Sequence, residues 1–309
     1  MKKTFYFTSQ ADSLKIHVLL MEPEEEPKGV VQICHGMAEH KERYEGFMKM
    51  LCDHGYVAII HDHRGHGKSI QKEGDLGYFY DDTGNAILED VHQLTKWAKK
   101  RYPGIPYHLF GHSMGSLVVR CYLKKYDQEI DSLIVCGSPS DHPLVPLITK
   151  LAKQACRSGE KNPGKLFEKM AFGTYQKILT QEESPNAWIS YNKENVRKYD
   201  ENPLDGFTFS NNGFLNLSLL MKNTYSSKGW QVKHPSLPIL FIAGADDPCI
   251  GSKKQYANAM KKLRKCGYNH VRGVLFRNRR HEILNEDGVQ KVYDVILPFL
   301  EIAEKRKNQ

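Results

Sequence analysis

The segment 107–126 constrains this chain more than any other. Tyr107-His108-Leu109-Phe110 is a short apolar run of the kind buried on both faces of a sheet. Gly111-His112-Ser113-Met114-Gly115 follows it without a spacer, and a helical stretch begins at once and runs to about residue 126. A strand that passes so abruptly into a helix must turn sharply, and glycines on both sides of the serine relieve the crowding. The serine is left exposed at the tip of the turn, in the context that a nucleophile requires.

The same alternation extends along the chain. Leu14, Ile16, Val18 and Leu20 recur at period two and read as an early strand with one polar face; Gly29–Cys34, Tyr56–Ile60 and Ser132–Cys136 are further short apolar runs. Helices are expected at about 42–54, closed by Gly55, at 84–101 and at 114–126. The pattern stops near Pro139 and resumes with a strand at 237–243, a helix at 252–266, a strand at 270–276 and a last helix at 286–304. This is βαβ alternation, and it predicts an α/β fold with a mostly parallel, doubly wound sheet. Residues 140–236 have helical periodicity and no convincing strand, so they read as a helical cap inserted between core segments 1–139 and 237–309. Pro-bearing joints at 138–143 and 234–238 mark its hinges. Glu22-Pro23-Glu24-Glu25-Glu26-Pro27 reads as an exposed hairpin turn.

With 40% apolar and 26% charged residues and a mean hydropathy of −0.55, the chain has the composition of a soluble globular protein. It lacks any run approaching the ~18 apolar residues of a spanning helix, and its first ten residues lack the apolar core of a signal peptide, so a cytoplasmic location is expected. Seven cysteines at scattered positions without a CxxC suit free thiols, with neither disulfides nor a structural zinc. Residues 253–309 hold 14 Lys or Arg against 6 Asp or Glu, which accounts for the whole net charge of +8. The expected reading is a solvated face on two amphipathic helices; transient contact with an anionic membrane surface is the rival, and no nucleic-acid partner is expected.

A nucleophilic serine needs a base and an orienting acid, and in a sheet of this kind they arrive after later strands in the order Ser, Asp, His. Gly244-Ala245-Asp246-Asp247-Pro248 follows one strand, and Arg277-Asn278-Arg279-Arg280-His281-Glu282 follows the next. Both fall at strand C-terminal ends, where an open α/β sheet forms its crevice. Either Asp246 or Asp247 could be the acid, and Asp141, after an earlier strand, is a third candidate. His35-Gly36-Met37 ends the strand before, so the amides of Met37 and Met114 are the candidate oxyanion donors. His61, His63 and His66 around Asp62 invite a metal reading, but serine catalysis needs no metal, and no cofactor is expected. Cys249 reads as a small buried hydrophobe close to the pocket mouth.

His35-Gly36-Met37-Ala38-Glu39-His40, Asp62-His63-Arg64-Gly65-His66-Gly67-Lys68-Ser69, Gly111-His112-Ser113-Met114-Gly115, Asp247-Pro248 and His281-Glu282, in that order, resemble the monoacylglycerol lipase and lysophospholipase branch of the α/β-hydrolases, a branch akin to the S33 serine aminopeptidases. The likeness runs over nearly the whole chain and is weakest in the cap. It implies Ser113 as nucleophile, His281 as base, Asp247, the aspartate directly before proline, as acid, the Met37 and Met114 amides as oxyanion hole, and the 62–69 turn as a brace for the oxyanion loop. The cap is rich in Phe, Leu and Met, among them Phe172, Phe209, Phe214 and Met221 as candidate substrate contacts, and this suits an acyl chain better than a sugar or peptide. A small-molecule acyl ester is the expected substrate. Two other readings stand beside it: a serine aminopeptidase or amidase that holds an amine with Glu182, Glu183, Asp200 or Asp205, and a catalytically silent ligand-binding module.

Overall fold

A computed structural model of the chain describes residues 1–178, 182 and 184–307. The apolar runs become β1 (Lys2–Thr8), β2 (Lys15–Met21), β3 (Gly29–Cys34), β4 (Tyr56–His61), β5 (Tyr107–His112), β6 (Ser132–Cys136), β7 (Pro238–Gly244) and β8 (His270–Phe276). They form one eight-stranded sheet in the order β1-β2-β4-β3-β5-β6-β7-β8. β2 is antiparallel to both neighbours, and every other pair from β4 to β8 is parallel. The strands β3 to β7 are buried on both faces, which is why they read as nearly continuous apolar runs.

Helices cover the two faces. α1 (Glu45–Asp53) and α9 (Gln290–Lys307) pack on one, where Phe47, Leu51, Ile296 and Leu300 meet Val31, Ile60, Phe110 and Ile134. α2 (Ala86–Arg101), α3 (Met114–Tyr126) and α8 (Lys253–Cys266) pack on the other, where Val91, Leu117 and Leu263 meet Val30, Leu109, Leu133 and Phe241. Alternate residues of one strand thus serve opposite cores, as the period of two demands. Between β6 and β7 stand α4 (Val145–Gly159), α5 (Lys165–Ile178), α6 (Lys193–Glu201) and α7 (Asn211–Tyr225). They form a helical insertion whose Phe209, Phe214 and Leu220 merge with the second core.

Three details differ from the sequence reading. β1 was hidden because it is an edge strand whose only partly buried residues are Phe5 and Phe7, the former against Trp97 at 4.7 Å. The Glu22–Pro27 segment is no hairpin: β4 lies between β2 and β3, so the segment is a crossover. The last helix begins at Gln290 rather than 286, because the buried Glu286 side chain accepts the main-chain N–H groups of Arg280, Tyr191 and Asn192 and holds the preceding residues in a loop.

All seven cysteines are unpaired. Among the described residues no helix is long and apolar enough to cross a membrane. α8 carries six basic residues and no acid, and Lys253, Lys254, Lys261, Arg264 and Lys265 face solvent.

Candidate active site

Ser113 joins β5 to α3 with φ 52° and ψ −118°, a conformation that costs a side-chain-bearing residue of order 1–3 kcal/mol and persists only where the surroundings enforce it. The flanking glycines make the turn sterically feasible. A Cβ at Gly111 would lie 2.4 Å from the Gly115 carbonyl oxygen, and one at Gly115 would lie 2.1 Å from that of Cys34. The Ser113 N–H donates to the Cys136 carbonyl at 2.9 Å, fixing the turn to the tip of β6.

The loop after β3 folds over the serine, so closely that a Cβ at Gly36 would stand 3.1 Å from the Ser113 Cβ. Glu39, buried, accepts the Gly36 N–H and the Tyr44 hydroxyl, the latter at 2.9 Å. Burial pushes the Glu39 carboxyl up, but the His112 hydrogen bond and charge and the Arg43 guanidinium outweigh it and hold the group at about 2. Within this loop the Met37 N–H has no acceptor among the described residues. Met114 is the first residue of α3, where an amide has no intrahelical acceptor.

The loops after β7 and β8 bring Asp247 and His281 together, both buried. Asp247 Oδ2 lies 2.9 Å from His281 Nδ1, and Asp247 Oδ1 accepts the Cys249 N–H at 2.8 Å. His281 is packed between the His112 ring at 4.6 Å and the Trp188 ring at 5.0 Å. Asp246, by contrast, is exposed and takes the Tyr191 hydroxyl at 3.2 Å, and Asp141 is exposed on the loop after β6. Asp247, Cys249 and His281 place three potential metal donors within 4.8 Å of one another. Both Asp247 oxygens are already engaged by protein hydrogen bonds, however, and burial, with the Asp247 charge, keeps the Cys249 thiol protonated. The donor set is arranged for hydrogen bonding.

Ser113, Met37, Met114, Cys249 and His281 line one cavity of about 460 Å³. Its cap-side wall includes Phe172, Phe214 and Met221, three of the four cap residues singled out from the sequence. Phe209 does not line it. It lies just ahead of α7, fully buried against Phe79 and His66, and serves the core instead. Sequence reasoning passed over Trp188, Tyr175 and Tyr199, which also line the cavity; a tryptophan in an otherwise polar stretch was the available signal. Of the cap carboxylates singled out from the sequence, Glu182 pairs with Arg280, Asp200 is exposed and bonded to Asn186, Asp205 is buried beside Arg43, and Glu183 lies outside the described residues. None of the first three lines the cavity; Glu168, a cap carboxylate that sequence reasoning passed over, does line it and accepts the Thr208 hydroxyl at 2.9 Å.

The 62–69 turn lies beneath the loop after β3. Asp62 accepts the Lys41 N–H at 3.0 Å and its ammonium at 2.7 Å, and His66 Nε2 accepts the Ala38 N–H at 3.2 Å. His61 and His63 are wholly buried with no partner for either ring nitrogen among the described residues, and burial pushes both well down, His61 to about 4. They are neutral packing groups.

A family model described as serine aminopeptidase, S33, matches residues 25–288, and the chain belongs to that family. A monoacylglycerol lipase of Mycolicibacterium smegmatis is 34% identical over 115 residues, 37% of this chain and 39% of that one. The monoglyceride lipase of Homo sapiens is 35% identical over 108 residues, 35% of this chain and 34% of that one. These alignments therefore span little more than a third of either partner. A probable lysophospholipase L2 of Haemophilus influenzae is 26% identical over 288 residues, 88% of this chain and 83% of that one. Among solved structures, a thermostable carboxyl esterase from Bacillus coagulans in complex with glycerol superposes with a TM-score of 0.89 at 27% identity, over 97% of this chain and 98% of that one. A lipase in an open form superposes at 0.88 and 24%, over 98% and 99%. The architecture is the α/β-hydrolase fold.

Proposed function

We propose that this member of the serine aminopeptidase S33 family is a serine carboxylester hydrolase acting on acyl esters of glycerol or a related alcohol, of monoacylglycerol or lysophospholipid type. One observation carries the reading: the buried Asp247–His281 pair at 2.9 Å opens onto the same cavity as a serine held at φ 52°. In this reading Ser113 Oγ attacks the ester carbonyl while His281 Nε2 takes its proton. Asp247 holds the ring in the Nδ1–H tautomer and stabilises the imidazolium. The Met37 and Met114 amides receive the oxyanion, a contribution of ~3–4 kcal/mol per donor in measured enzymes. The alcohol leaves with the proton from His281, and water activated by the same nitrogen hydrolyses the acyl-enzyme. Residues 140–236 serve as the cap between core segments 1–139 and 237–309, roofing the serine with apolar side chains that take the acyl chain and exclude water.

The experiment is a fluorophosphonate probe together with a series of p-nitrophenyl esters. Labelling of the wild type and none of Ser113→Ala, with ester turnover that follows the label, supports the reading. An unlabelled wild type overturns it in favour of a silent module. Faster turnover of an aminoacyl naphthylamide than of any acyl ester would favour an aminopeptidase, although none of Glu182, Asp200 and Asp205 lines the cavity.

A further inference from the structure

The cap does more than roof the serine, because it is hydrogen-bonded to the loop that carries the Met37 amide. Ala38 has φ 50°, in the left-handed region that penalises any residue with a Cβ. Its main chain is gripped from two sides. On the core side its N–H donates to His66 Nε2 at 3.2 Å, and His66 Nδ1, 3.1 Å from the Arg64 carbonyl, is the protonated nitrogen that leaves Nε2 as acceptor. On the cap side its carbonyl accepts the Gly206 N–H at 2.8 Å and the Tyr199 hydroxyl at 3.1 Å. Tyr199 is itself seated by the Arg43 guanidinium, 4.8 Å from its ring centroid. Two residues before Ala38, the Gly36 N–H is held by Glu39. Met37 therefore sits between two pinned residues, with its own N–H free of acceptors among the described residues.

We propose that Tyr199 and the Gly206 amide are positioning residues: by holding the Ala38 carbonyl they keep Ala38 left-handed and so keep the Met37 amide aimed at the oxyanion. Rotation about the Ala38 N–Cα bond swings Met37, so releasing the carbonyl lets the loop relax away from the strained conformation and misaims the amide. The effect falls on the transition state, where the oxyanion exists, and not on the bound ester. The inference rests on the active-site reading above, in which Met37 supplies an oxyanion donor.

The test is steady-state kinetics on a soluble p-nitrophenyl ester. Tyr199→Phe removes one hydroxyl and keeps the ring; kcat should fall about fivefold, the worth of one net hydrogen bond, with KM within about twofold. Ala38→Gly added to Tyr199→Phe should restore most of that loss, because glycine meets no penalty at this φ. A second pair reads the other grip: His66→Gln, which keeps an acceptor for the Ala38 N–H, should retain more kcat than His66→Leu, again at steady KM. Unchanged kcat in Tyr199→Phe, a rise in KM alone, a loss that Ala38→Gly does not rescue, or a Tyr199→Phe chain that fails to fold would each overturn the coupling, the last two by making Tyr199 a residue of the cap's own stability. Ser113→Ala run alongside separates the two levels. If it keeps turnover, the active-site reading fails; if it is dead while Tyr199→Phe is unaffected, only the coupling fails.

Discussion

Asp247 divides its two carboxylate oxygens between His281 Nδ1, at 2.9 Å, and the N–H of Cys249, at 2.8 Å. The second bond is made within the acid's own turn, Pro248–Ile250, so the chain that carries the carboxylate also fixes its rotation. Both oxygens face donors. A carboxylate satisfies both, whereas a carboxamide would turn a donor toward one of them.

Asp247→Asn should accordingly lower kcat by roughly 10⁴, as the equivalent change does in trypsin, because the amide forces His281 into the wrong tautomer or breaks the turn. Asp246→Asn, at an exposed residue that meets only the Tyr191 hydroxyl, should cost less than about tenfold. Ester turnover by the two purified variants decides it, and equal losses would mean that the acid has been misassigned.

Asp205 gives a pH signature. Burial pushes its carboxyl up to about 7, Arg43 and His40 pulling it down and Glu39 and Glu282 adding to the rise, and its Oδ1 is buried without a partner among the described residues. The unfolded group titrates near 4. The folded state therefore binds this proton more tightly than the unfolded state does: the stabilisation is full below about pH 4 and is lost as the pH rises through about 7. The melting temperature should fall between pH 5 and 8 by more in the wild type than in Asp205→Asn, whose amide cannot ionise. Parallel melting curves for the two proteins across that range would refute the assignment.

The turn at Ser113 sets a steric limit. A methyl group at Gly115 would lie 2.1 Å from the Cys34 carbonyl oxygen and 2.5 Å from that of His35, both main-chain atoms that cannot swing aside. Gly115→Ala should therefore push α3 away from the end of β3 and cost several kcal/mol of stability together with activity. By comparison Gly46→Ala, where nothing lies within 4 Å of the added carbon, should be neutral or slightly stabilising in α1. Urea unfolding of the two variants measures the difference.

What the sequence made legible follows the same physics. β5, the serine turn and α3 could be read because strict steric needs leave few residue choices, and β3 to β7 because burial on both faces leaves few polar positions. β1 escaped notice as an edge strand that buries part of two side chains. Asp246 and Asp247 could not be told apart by residue type, since neighbours on a loop differ only in direction; one faces solvent and the other His281. Trp188 and Tyr199 were missed because their roles arise only when the cap folds back over the core, a contact that no local period encodes.

The last expectation separates cap residues that the sequence grouped together. Met221 lines the cavity, whereas Phe209 is fully buried between Phe79 and His66 and lines none of it. An apolar chain gains ~0.8 kcal/mol per buried methylene, so kcat/KM should climb severalfold, up to about tenfold, with each added pair of acyl carbons until the cavity is full. Met221→Trp takes up space in that path; it should leave an acetyl ester untouched, lower turnover of a dodecanoyl ester and bring the maximum to shorter chains. Phe209→Leu should lower the melting temperature and leave the chain-length profile in place, because Phe209 packs behind Phe207 and Phe214 and is not itself part of the cavity wall. A wild-type profile that stays flat from two to twelve carbons would remove the acyl chain from this cavity altogether, and the aminoacyl substrates would then be the ones to pursue.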